Sequence, residues 1–303
     1  MNPDTAPNPG GLPPRALPKR RSGRHRDPLS FDSWIGTPPL LLAVPGAAGD
    51  EDAAARMVDL AGSYRPEVER RVGYLGGDSE LLRDVLTEKR GSGGALDAVV
   101  VPFTAGPRRS AQEEVEAAVA ASGARVRVTE PLGPHPMLAE VLHMRLAEAG
   151  FVRADRMRLI SVVAASAEMA DGVIVGSVGG GEGLEAAGVA AVLLAARLGV
   201  TVLPAAIDDP THLAQTVERL RHSGSMRPVL APCVLGHEVD VSVVDRLVAD
   251  NQIRRCQDLG SHSTLAKIVA LRYAEVLNSL EAEGPQSLDE LPAPTGTRHR
   301  RDS

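Results

Sequence analysis

Short apolar runs alternate along this chain with longer stretches in which apolar residues recur every third or fourth position. The first kind reads as buried strands and the second as amphipathic helices. Leu40–Val44 predicts a strand, Asp52–Ala61 a helix, Arg71–Leu75 a strand and Glu80–Glu88 a helix. Asp97–Pro102, a Val-rich run bounded by Gly and Pro, predicts a third strand. Gln112–Ala121 is the next helix and Arg125–Val128 the fourth strand. The order then starts again. Leu159–Ala164 predicts a strand, Glu185–Leu198 a helix, Val200–Ile207 a strand, His212–His222 a helix, Pro228–Pro232 a strand and Val241–Asn251 a helix. Ile253–Asp258, interrupted by Arg254, Arg255 and Gln257, takes the fourth strand's place. Strands alternating with helices imply parallel sheets covered by helices on both faces.

The restart is literal at one point. Residues 131–149 (PLGPHPMLAEVLHMRLAEA) and 258–276 (DLGSHSTLAKIVALRYAEV) share Leu132/Leu259, Gly133/Gly260, His135/His262, Leu138/Leu265, Ala139/Ala266, Arg145/Arg272, Ala147/Ala274 and Glu148/Glu275, all at one offset of 127. A fixed long period marks a duplicated unit. Each copy is a Gly-containing turn carrying a His, followed by a helix whose apolar face is Leu138, Leu142, Leu146 or Leu265, Val269, Tyr273. The fold class is therefore α/β: two tandem flavodoxin-like domains, each a parallel sheet of about four strands flanked by helices. The expected boundaries are a Pro/Arg-rich tail over 1–37, domains over 38–153 and 154–280, and a polar tail over 281–303.

Composition narrows the function. A net charge of −6 with one Trp, three Tyr and three Phe argues against a nucleic-acid-binding body, which needs basic patches and stacking platforms. No apolar run reaches membrane-spanning length. Cys233 and Cys256 are the two cysteines, without metal-ligand spacing, and suit the reducing cytoplasm. The cluster Arg15, Lys19, Arg20, Arg21, Arg24 and Arg26 reads as a solvated charge run.

Three features offer chemistry. Gly181-Glu182-Gly183-Leu184-Glu185-Ala186 fits a GxGxxA dinucleotide pattern, with Gly172–Gly176 as its strand and Asp208 toward a ribose. Because Leu159–Ala164 already supplies a first strand, a Gly-rich connection is the alternative. His135 and His262 either pin their loops by capping the following helix or face a ligand. Leu235-Gly236-His237-Glu238 sets a His beside an acid at the end of a strand, either as metal ligand and proton acceptor or as a solvated loop.

The duplication, the PLGPHPMLAEVL segment, the LLLAVPG start and the DAVVVP strand resemble the two-domain sirohydrochlorin cobalt- or iron-chelatases, the CbiX-like class II tetrapyrrole chelatases. The resemblance covers about residues 38–280. It implies a lyase that inserts Co2+ or Fe2+, as substrate, into a tetrapyrrole in cobalamin or siroheme biosynthesis. It also implies a cleft at the carboxyl ends of the strands, a monomer whose two domains face that cleft, and no organic cofactor. Insertion exchanges two pyrrole protons for a metal ion, so neutral imidazoles and carboxylates suit the work.

At the family's positions this chain departs from the pattern. Pro45 stands where a His follows the first strand, and Gly76 where a Glu follows the second. Ser110 falls, by ungapped counting, where a Gly-x-His segment follows the third. The substitutes are His237 and Glu238 as catalytic pair, His237, His262 and His135 as metal-binding candidates, and Arg108 and Arg109 as partners for substrate carboxylates. The expectation is a chelatase-like protein with its usual histidines substituted. A tetrapyrrole- or metal-binding regulatory paralogue is the alternative, and a dinucleotide-binding protein a third.

Overall fold

Two four-stranded parallel sheets form, in the orders β2-β1-β3-β4 and β6-β5-β7-β8. The computed structural model describes residues 37–48, 53–78, 80–91, 96–153, 169–236 and 238–283, all within one unit, Phe31–Ser303. In chain order the first set comprises β1 (Leu40–Val44), α1 (Ala53–Gly62), β2 (Arg70–Tyr74), α2 (Leu82–Lys89), β3 (Ala98–Pro102), α3 (Arg109–Ser122), β4 (Val126–Val128) and α4 (Pro136–Glu148). The second comprises β5 (Gly172–Ser177), α5 (Gly180–Leu198), β6 (Thr201–Ala206), α6 (Pro210–His222), β7 (Pro228–Pro232), α7 (Val241–Asp250), β8 (Arg254–Arg255) and α8 (Ser263–Glu283). The strands buried along their whole length, β1, β5 and β7, and the nearly buried β3 hold the centre of each sheet, as their unbroken apolar runs require.

The second sheet corrects one element. Its central strand is Gly172–Ser177, paired with Thr201–Ala206 on one side and Pro228–Pro232 on the other. Leu159–Ala164, expected there, lies outside the described residues. Both runs are short and apolar, and periodicity cannot choose between them. The Gly-rich stretch is consequently no connection between domains but the β5–α5 turn. Gly179 takes φ 99 at the start of α5, and a Cβ on Gly183 would lie 2.0 Å from the Val178 carbonyl oxygen. The fourth strand shrinks from Ile253–Asp258 to Arg254–Arg255.

Each set lends its last helix to the other. Helix α4 packs on α5 and β7, and α8 packs on α1 and β3. One continuous core therefore runs through the facing sides of both sheets, from Leu42 and Val101 to Val175 and Ala231, with Leu142 and Val269 from the exchanged helices. Polar contacts repeat the exchange in two related pairs. Arg145 on α4 donates Nη2 to the Leu259 carbonyl at 2.8 Å, and Arg272 on α8 donates Nε to the Pro131 carbonyl at 3.0 Å. Tyr273 on α8 donates its hydroxyl to the Pro38 carbonyl at 2.7 Å. Among the described residues, no helix is long and apolar enough to cross a membrane.

Candidate functional site

In parallel α/β sheets the loops after the strands carry the chemistry, so the site is built from the carboxyl edges of β1, β3, β5 and β7. After β1, Pro45 is buried and Gly46 turns with φ 80. After β2, Gly76 donates its N–H to the Gly46 carbonyl at 2.9 Å. The two positions where a His and a Glu were sought are thus a proline and a glycine in neighbouring turns. A Cβ on Gly76 would stand 3.4 Å from the Gly46 carbonyl carbon, at the tight edge of ordinary contact.

The loop after β3 runs from Phe103 to Arg108 and docks into the mouth of the second sheet. Ala105 donates its N–H to the Glu238 carboxylate, at 3.2 Å to Oε1 and 3.3 Å to Oε2. Leu235 donates its N–H to Glu238 Oε2 at 2.7 Å, and Arg108 donates Nη1 to the Glu238 carbonyl at 3.1 Å. Nearby, a Cβ on Gly179 would lie 2.7 Å from the Pro107 carbonyl oxygen, and one on Gly106 3.3 Å from Ala186 Cβ. A void of about 10 Å3 remains between Ala105, Ser177, Gly183, Cys233 and Glu238, about the volume one water needs.

Glu238, sought as a catalytic acid, is 7 % exposed, and its oxygens accept backbone N–H groups from both sets of strands. Burial pushes its pKa up from 4.5 to about 7 and Asp258 adds to that, while the N–H groups of Leu235 and Ala105 and the charge of Arg108 pull it down. Burial, with the Glu238 charge, also pushes the Cys233 thiol up to about 12, far from the thiolate a metal would want. His237 lies outside the described residues.

Ser110 sits exposed in the first turn of α3, beyond the loop. The residue that closes the loop against the second sheet is Arg108, in the segment Gly106-Pro107-Arg108. That segment is a Gly-x-Arg, two positions upstream of Ser110. Arg109, expected to share its role, points elsewhere: it is 78 % exposed and 3.6 Å from Glu182, a solvated pair of little energetic weight.

His135 and His262 prove to be helix caps. His135 Nδ1 accepts the Met137 N–H at 3.2 Å, and His262 Nδ1 accepts the Thr264 N–H at 3.0 Å. Both pKa values are lowered, first by burial and then by the arginine of the exchanged helix, Arg272 for His135 and Arg145 for His262. Among the described residues no three His, Cys, Asp or Glu side chains converge as a metal centre. The GxGxxA reading fares no better: Asp208 accepts the Gly179 N–H through Oδ2 at 3.0 Å. It thus sets a carboxylate where a pyrophosphate would need the helix start free.

Two four-stranded parallel sheets that share one core, joined where the loop after β3 meets Glu238, make a duplicated α/β fold. Residues 41–149 match the CbiX family model. The structure is similar to that described as SirB from Bacillus subtilis with Fe3+, at a TM-score of 0.59 and 15 % identity, over 81 % of this chain and 98 % of that one. A periplasmic ribose ABC transporter from Conexibacter woesei aligns over 86 % of this chain and 89 % of its own, at 13 % identity and a TM-score of 0.37, too low to bear on this chain. No curated protein sequence matches. Over residues 41–149 the chain is thus similar to the CbiX family, and its fold is similar to that of SirB.

Proposed function

We propose that this CbiX-like chain is a sirohydrochlorin chelatase-like protein that holds an acidic tetrapyrrole at the carboxyl edges of its strands and does not itself insert the metal. The observation that carries this reading is the exchange of side-chain types at that edge. Pro45, Gly76 and Ser110, the last flanked by Arg108, stand where the resemblance puts two imidazoles and a carboxylate. A guanidinium has no lone pair for a metal, but it matches the carboxylates around a sirohydrochlorin-type ring. Co2+ or Fe2+ is then met only as cargo within the macrocycle, and no organic cofactor takes part. The protein acts as a binding or regulatory paralogue. The two free, buried thiols support a place in the cytoplasm, and the shared core supports a monomer.

A second reading, insertion of Co2+ or Fe2+ in cobalamin or siroheme synthesis, is favoured by one observation. Glu238 is buried beside His237 in the sequence and titrates near 7, where a proton acceptor works best. Its oxygens are, however, already occupied by the N–H groups of Ala105 and Leu235. One experiment separates the readings. Metal-free sirohydrochlorin is titrated into the protein and followed by absorbance, and then Co2+ or Fe2+ is added. The binding reading expects a saturable spectral change, weakened about tenfold by Arg108→Ala, and metal uptake no faster than in free solution. Acceleration abolished by His237→Ala would establish the second reading, and no saturable change at all would sink both.

A further inference from the structure

Between α3 and the ends of β3 and β4 runs a groove of about 300 Å3, on the flank of the first sheet away from the β1–β3 switch point. Val115 and Ala111 of α3 face Pro102 and Val128 across it. One end holds Thr104, which lines the groove and is 2 % exposed. Its hydroxyl has no hydrogen-bond partner among the described residues. The hydroxyl is not among the fully enclosed side-chain atoms that lack a partner, so solvent or a ligand in the groove reaches it.

The same end is formed by Pro107, Arg108 and Ala111 at the start of α3, a helix of 14 residues whose N-cap, Arg108, supplies no side-chain acceptor. The first intrahelical bond is Gln112 N–H to the Arg108 carbonyl at 3.0 Å, so the donors before it have no helical partner. Arg108 gives the Glu238 carbonyl only one of the five donors a guanidinium carries. A hydroxyl, a helix start and a guanidinium therefore meet at one place, and a carboxylate satisfies all three.

The other end has the opposite sign. Glu116 stands two turns along α3, about 12 Å of helix from Arg108, and Glu130 stands on the facing loop. Gln112 donates Nε2 to Glu116 Oε1 at 3.0 Å, which holds that carboxylate along the groove wall. We propose that the groove is a binding site for a small ω-amino carboxylic acid, its carboxylate on Thr104 and the start of α3 and its ammonium toward Glu116 and Glu130. The site shares Arg108 with the tetrapyrrole reading, but its test rests on Thr104, Glu116 and Glu130, so either reading can fail without the other.

The test titrates the full chain with 5-aminovalerate, valerate, glutarate and 5-aminopentanamide, followed by amide NMR shifts. Saturable shifts at the Thr104 and Ser110 amides are expected at millimolar 5-aminovalerate. Valerate should bind more weakly, glutarate more weakly still, and the amide, which lacks the carboxylate, not at all. Thr104→Val should weaken 5-aminovalerate about tenfold, and Val128→Trp, at an exposed position that lines the groove, should abolish the shifts with the rest of the spectrum unchanged. Glu116→Gln combined with Glu130→Gln should remove the advantage of 5-aminovalerate over valerate. No saturable shift, equal affinity for the amide, or binding untouched by Val128→Trp would overturn the site.

Discussion

Replacing Glu238 by Gln leaves an oxygen to accept the N–H groups of Leu235 and Ala105 but removes the ionisable proton from the contact between the two sets of strands. In the folded chain burial lifts this carboxyl from 4.5 to about 7, so the folded state holds the proton more tightly than the unfolded state does. The stability this brings is complete below pH 4.5 and is lost as the pH rises through about 7. The gap between those values corresponds to about 3 kcal/mol, all of it gone on the alkaline side. Urea unfolding of both proteins, measured in steps from pH 4.5 to 8, isolates the effect, because every other titrating group cancels in the difference. The natural chain should lose about 3 kcal/mol relative to Glu238→Gln across that range. Parallel stability curves would mean that the carboxyl titrates as it does in water, and would refute the account of the buried contact.

Three further outcomes follow from the geometry. Gly183→Ala meets the Val178 carbonyl oxygen and should cost several kcal/mol, about 3 or more, whereas Gly181→Val has open space around it and should lower the melting temperature only slightly. Tyr273→Phe loses the bond to the Pro38 carbonyl and should cost about 1 kcal/mol in urea unfolding. Arg145→Ala and Arg272→Ala each free a carbonyl of the opposite set, Leu259 or Pro131. Each should destabilise by about 1–3 kcal/mol, measured by the same method.

Most of the fold was legible because buried parallel strands must be apolar throughout. LLLAV and AVVVP announce β1 and β3 without help from their neighbours. The gapless repeat likewise announced α4 and α8. What it could not announce was their exchange, because a helix shows its apolar face and not the sheet that face will meet. The start of the second set was misread because two apolar runs of similar length compete, and the choice rests on pairing with β6 and β7. At the site, counting without gaps reached Ser110, exposed in the first turn of α3, whereas the contact with the second sheet is made two residues earlier by Arg108, a reach that no spacing reports. Glu238 was expected as a catalytic acid beside His237; its occupation by Ala105 N–H joins residues 133 apart in sequence, and no local pattern reports that. Thr104 gave no signal at all, since a threonine after a strand is ordinary until its hydroxyl is seen to lack a partner.

The exchange of α4 and α8 sets an order of events during synthesis. Leu40, Leu42 and Val44 leave the ribosome early, yet the helix that covers their sheet, α8, emerges only after the whole second set. The Tyr273–Pro38 bond spans 235 residues, among the longest closures the fold makes. Until α8 arrives, the first sheet presents an apolar face to the cell, and long-range closure of this kind is slow and exposed to aggregation. The two sets are therefore cotranslational dependants of one another, and a cut between them would yield two fragments, each with an uncovered sheet.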